Sequence, residues 1–163
     1  MEFREYLENG GDGCSYRQRA LTAKSYKNIE HSIQETDTNE ALAVLGDSLL
    51  KYALCEILFD EQCENITVKK QGYESDEVLV KIIARHYDLL DCLHFDDKDT
   101  NIPQNYDFEK RENGKESPHK YIATALEALL AAFYLDGQRD ITVVFSIVRE
   151  WKTLIDKQGA TET

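Results

Sequence analysis

Residues 39–50 read Asn39-Glu40-Ala41-Leu42-Ala43-Val44-Leu45-Gly46-Asp47-Ser48-Leu49-Leu50, and their reading decides the fold. Leu42, Leu45, Leu49, Ala53, Leu54 and Leu58 recur at helical spacing, with Asp37 at a capping position and Glu40 three residues on. That pattern predicts a long helix from Asp37 to about Phe59. Gly46 stands inside it at a cost of about 1 kcal/mol relative to alanine, so another backbone is expected to approach closely there. Asp47 follows inside the apolar stretch. At about 100° per residue it lies about 20° from Glu40, two turns away on the same face. Two carboxylates are thus stacked along one helix.

A second apolar block, Ile122 to Gly137, reads IATALEALLAAFYLDG. Ser117 before Pro118 is a strong helix start, and Gly137 after Asp136 is the matching stop. The helix between them is apolar nearly all round, which predicts a central position. Glu127 sits within it with no Lys or Arg three or four residues away. A buried ionised carboxylate is costly unless it is paired or bound to a cation. Taken singly, each acid has a plainer explanation: Glu40 as the far end of a capping box, Asp47 bonded to a neighbouring helix end, Glu127 paired with a distant Arg85. Taken together, three inward carboxylates on two central helices suggest a divalent-cation site.

The remaining chain is also helical in pattern. Ser75 is the expected cap of a helix running to about Leu93, with Val78, Leu79, Ile82, Ile83, Leu89 and Leu90 on its apolar face. A last helix from about Asp140 places Val143, Val144, Ile147, Val148, Trp151 and Ile155 on one face. Gly10, Gly11 and Gly13 mark residues 1–15 as a flexible opening, and residues 158–163 as a polar tail. Residues 94–117, rich in Asp, Asn, Lys and Glu with Pro103 and Gly114, read as an acidic polar excursion. No useful strand alternation occurs. The expectation is one all-α domain over residues 16–157.

The chain has 163 residues, a net charge of -12, 42% hydrophobic and 31% charged residues, which is globular composition. Such acidity argues against strong independent binding of nucleic acid, which rests largely on Lys and Arg. Cys14, Cys55, Cys63 and Cys92 form no CxxC pair and read as reduced, mostly core thiols rather than a disulfide or zinc framework. The four histidines form no HExxH or Cys/His cluster. No apolar run approaches the roughly 20 residues of a membrane span, and no secretion signal opens the chain. An intracellular place, cytoplasmic or organellar, is expected, with no membrane partner.

The stretch Asn39 to Leu50 resembles the ribonuclease III signature, which reads roughly NERLEFLGDSVL. Ala20 to Tyr26, ALTAKSY, is similar to that family's ALTHRSY, and Ile122 to Gly137 resembles its ILADAFEALIGAIYLDG. The three blocks keep order and spacing over about residues 17–155. The resemblance implies an all-helical endonuclease domain that dimerises and cleaves double-stranded RNA with magnesium, with a double-stranded RNA-binding domain following it. With only a short polar tail after Trp151 and Ile155, no such module is expected in these residues.

By the same resemblance, Glu40, Asp47 and Glu127 match acidic positions of the metal site. Ala43 stands where the signature has its second Glu, Thr124 where the ADxxEA block has its Asp, and Gln71-Gly72 where an EG turn is expected. Alanine cannot ligate, and threonine offers only a neutral hydroxyl. Magnesium is therefore expected to bind weakly or not at all. Asp60, Glu61, Glu64, Glu74 and the acids of the excursion read as solvated surface. The leading expectation is a degenerate domain acting as a non-catalytic partner or scaffold in RNA processing, as a homodimer or with a ribonuclease III relative, and binding double-stranded RNA only weakly alone. The alternatives are an active magnesium-dependent endonuclease with a remodelled site, and an unrelated helical interaction protein.

Overall fold

The computed structural model describes residues 1–10, 14–96 and 118–161. Its helices are α1 (Phe3–Glu8), α2 (Ser15–Ala20), α3 (Glu40–Asp60), α4 (Ile66–Glu74), α5 (Asp76–Val78), α6 (Leu89–Cys92), α7 (Pro118–Asp136) and α8 (Ile141–Thr161). Two 3-10 helices, Lys24–Asn28 and Glu35–Asp37, lie between α2 and α3, and a π-helical stretch, Leu79–Ala84, continues α5. Among the described residues no strand forms. A lone parallel bridge joins Thr22 to His94.

The all-α expectation holds, and its two apolar helices form the centre. In α7, Ile122, Ala123, Ala125, Leu126 and Ala128 to Ala132 are buried, and the helix packs against α3 along Leu42, Ala43, Leu50, Ala53, Leu54 and Ile57. Trp151, Val144, Ile147 and Val148 of α8 close one side, as their spacing predicts. Each long helix hides one face because its neighbours supply the apolar surface that water cannot. Among the described residues, no helix is long and apolar enough to cross a membrane.

Several boundaries differ from the sequence reading. Residues 3–8, expected within a flexible opening, form α1, because Phe3, Tyr6 and Leu7 at helical spacing enter the core. Phe3 stands edge-on to Tyr87, Phe133 and Trp151, with ring centroids 5.0, 5.8 and 5.7 Å away. The Tyr6 hydroxyl donates to Asp136 at 2.7 Å, and the Tyr16 amide reaches the other oxygen of the same carboxylate at 3.3 Å. The end of α7 thereby anchors both N-terminal helices.

Asp37 does not cap α3. It ends the preceding 3-10 helix, where its carboxylate accepts the Gln34 amide at 2.9 Å, and Asn39 occupies the cap position. Ser75 caps as expected, accepting the Val78 amide, but the helix it starts breaks at Asp88, whose φ of 52° is left-handed. Before Ser75, Gln71-Gly72, where a turn is expected, lie inside α4. At the other end α8 runs through Thr161, past the expected start of the tail at 158, since Lys157, Gln158 and Ala160 favour helix.

Residues 94–96 begin the expected excursion but are tied to the domain: Ala23 donates to the His94 carbonyl at 2.9 Å, and the Asp96 amide to Ser25 at 3.0 Å. Ser117 and the rest of the excursion, 97–117, lie outside the described residues. The four cysteines are free thiols. Cys14 and Cys92 are half-buried against the core, Cys63 is half-buried and Cys55 is exposed on α3, so the expectation of mostly core thiols holds only for the first two.

Candidate active site

The site is built where α3 crosses α7. A Cβ on Gly46 would lie 1.8 Å from the carbonyl oxygen of Glu127, so the backbones touch with no room for a side chain. This close approach is the one the mid-helix glycine predicts, and it sets Asp47 beside Glu127.

Glu127 is half-buried, and its carboxyl is pushed up to about 7. Burial is the main cause. The negative charges of Asp47 and Asp76 raise it further, the Lys51 ammonium opposes them, and Glu74 adds a smaller push upward. Lys51, one turn along α3, donates to Asp47 at 2.7 Å, and this bond raises the lysine's own affinity for its proton. Among the groups with the largest effect on Glu127, the cation is Lys51.

Asp76 and Glu74 come from the elbow between α4 and α5. Glu74, read as solvated surface, is mostly covered and accepts two bonds from Lys70, at 2.8 and 2.9 Å. Asp76 escapes the sequence reading because an acid in the first turn of a helix is ordinary there. Its one signal is position, directly after the Ser75 cap.

Glu40 has a different neighbourhood. It is exposed at the start of α3 and pairs with Lys24 at 3.4 Å, while Lys24 also approaches Glu35 at 3.8 Å. Ala43 is buried and presents no donor. Thr124 donates its hydroxyl to the Lys120 carbonyl of its own helix at 2.7 Å. Gln71 is exposed on α4. The structure thus brings Asp47 and Glu127 together and leaves Glu40 bound to Lys24. Among the described residues, no three His, Cys, Asp or Glu side chains are grouped closely enough to hold a metal ion. Beside this crossing, a pocket of about 450 Å³ opens between the Lys24–Asn28 turn and the starts of α3 and α7, with Glu40 and Thr124 in its wall.

Comparison with known proteins agrees with the three sequence blocks. The family model of the ribonuclease III domain matches residues 40–138. Ribonuclease 3 of Clostridium perfringens is 31% identical over 140 residues, covering 85% of this chain and 53% of that protein. Ribonuclease 3 of Clostridium tetani is 30% identical over 141 residues, covering 85% and 54%. The chain spans about half the length of these curated relatives. In fold, the crystal structure of the nuclease domain of ribonuclease III from Campylobacter jejuni superposes with a TM-score of 0.61 at 22% identity, over 97% of this chain and 95% of that one.

Proposed function

Because the chain belongs to the ribonuclease III family, we propose that it is a catalytically degenerate member, serving as a dimerising partner or scaffold in RNA processing. The observation that carries this reading is the Asp47–Lys51 pair beside Ala43 and Thr124. A family nuclease needs clustered anionic oxygens to hold hard cations and activate water. Here one of the two adjacent carboxylates is engaged by an ammonium, and the other favours its proton near neutrality. Thr124 spends its hydroxyl on its own helix. This donor set does not fit a two-magnesium centre, and at best a weak single cation would find ligands in Asp47 and Glu127.

Association is supported by the outer face of α3. Val44 and Phe59 are each 72% exposed and Tyr52 is 49% exposed. At about 100° per residue they fall within an arc of about 80°. Apolar side chains aligned in this way favour a covering partner, either a second copy or a ribonuclease III relative. Contact with double-stranded RNA by this chain alone is weak, given the net charge of -12.

A second reading has one observation in its favour. Asp76 and Glu74 add negative charge near Glu127 from a direction that the family blocks do not include. A remodelled, magnesium-dependent endonuclease would draw on them. Incubating the purified chain with double-stranded RNA in magnesium separates the readings. Little or no cleavage is expected; efficient cleavage that Glu127→Gln abolishes would establish the remodelled nuclease.

A further inference from the structure

We propose that the pocket between the Lys24–Asn28 turn and the starts of α3 and α7 binds a phosphate monoester. Lys24 and Lys27 enter its wall from the turn, and Lys120 from α7. Three lysines thus line one pocket in a chain whose net charge is -12. Among the described residues of the wall the one carboxylate is Glu40, which Lys24 holds at 3.4 Å. Glu35 also approaches Lys24, at 3.8 Å.

A second observation is independent of charge. Asn39 belongs to the pocket wall and is only 2% exposed, and among the described residues its side-chain Nδ2 has no hydrogen-bond partner. A buried amide donor without an acceptor is unfavourable, so a small opening that admitted an oxyanion would supply what the fold leaves out. Thr124, also in the wall, is neutral where the resemblance places an Asp. The substitution that removes a cation ligand removes a charge that would repel an anion.

Shape selects a monoester over the backbone of a duplex. The pocket is concave, and a phosphodiester in a duplex carries a sugar on each side and lies on a convex surface. A terminal phosphate has one linkage and three outward oxygens, with a charge of about -1.5 to -2 at neutral pH. It can descend toward Asn39 while the lysines contact its oxygens. Free nucleoside 5′-monophosphates and the 5′-phosphorylated end of an RNA strand share this chemistry.

This inference rests on the reading of a degenerate domain, but its test needs no magnesium and no cleavage. The full chain in EDTA is titrated with inorganic phosphate, a nucleoside 5′-monophosphate, and the same short single-stranded RNA carrying a 5′-phosphate or a 5′-hydroxyl. Calorimetry gives affinity, and amide NMR shifts give location. Saturable binding is expected, with shifts confined to residues 24–28, 39–40 and 120–124. Thr124→Asp and Lys27→Glu should each weaken it at least tenfold, while Lys157→Glu on the distant end of α8 should not. Binding of the mononucleotide without preference between the RNAs would assign the site to free nucleotide; preference for 5′-phosphorylated RNA would assign it to strand ends. Absence of saturable monoester binding, or binding unchanged in both weakening variants with thermal melts like the parent's, would overturn the proposal. Cleavage in magnesium bears separately on the degenerate reading.

Discussion

Gly46 and Glu127 meet backbone to backbone: a Cβ on the glycine would stand 1.8 Å from the glutamate's carbonyl oxygen and 2.5 Å from its carbonyl carbon. The glycine thus fixes how closely the two central helices cross. It also fixes the site, since Asp47 is the next residue on one helix and Glu127 is the contact residue on the other. A wider crossing would move the two carboxylates apart while emptying the core around Leu50 and Leu126.

Gly46→Ala should therefore be strongly destabilising, despite alanine's better helix propensity. The clash is with backbone, which cannot rotate away as a side chain can, so a loss of about 3 kcal/mol or more is expected. Denaturant unfolding measures it. A change within about 0.5 kcal/mol would show that the helices can part without penalty.

The pH dependence of stability should carry the mark of Glu127. Its carboxyl has an ordinary value of 4.5 when unfolded and about 7 in the fold, so the native state holds the proton more tightly. Its favourable contribution is complete below about 4.5 and is lost as pH rises through about 7. Glu127→Gln cannot ionise and should escape that loss. In EDTA at pH 8 it should exceed the parent by about 1–3 kcal/mol, a range discounted for the carboxyl's partial exposure, with little difference at pH 4. A Gln variant less stable than the parent at pH 8 would contradict the assigned environment.

The parts legible in sequence are those where a local rule is broken at visible cost. A glycine inside an apolar helix and a glutamate inside another both demand a structural reason, and both meet at the crossing. Features that break no rule are hidden. Ile66 to Gly72 has no apolar stripe, so α4 is not legible, and α1 is a six-residue helix preceding a glycine run. Asp88 enters left-handed backbone without being glycine, which conceals the break after Tyr87. The companions of Glu127 come from that poorly legible region, and so Asp76 and the covered Glu74 are visible only in three dimensions.

The exposed stripe on α3 predicts association. Covering a Val or Phe side chain contributes roughly 1.5–3 kcal/mol, and a two-fold interface would use Val44 and Phe59 from both copies. Sedimentation should show a homodimer, or a monomer that dimerises with a ribonuclease III relative. Val44→Glu should weaken that association at least tenfold while leaving the melt of the monomer near the parent's. A chain that stays monomeric and pairs with no ribonuclease III relative of its cell would remove the claim.

The last prediction concerns restoring the site. Ala43 and Thr124 occupy adjacent turns of the helices that carry Asp47 and Glu127, so Ala43→Glu with Thr124→Asp would bring four carboxylates into one neighbourhood. Without a cation they should repel one another and resist burial, and the double variant should melt below the parent in EDTA. Magnesium should reverse this, because it binds the folded variant and not the unfolded chain. A rise of several degrees in the variant's Tm, against little change in the parent, is the expected result. Lys51 would compete for Asp47, so adding Lys51→Ala should enlarge the magnesium effect. Cleavage of double-stranded RNA should then appear or increase, provided that the crossing at Gly46 is kept. If magnesium leaves the Tm of both variants unchanged, the lost carboxylates are not what separates this chain from a cation-binding relative, and the backbone around the crossing must differ instead.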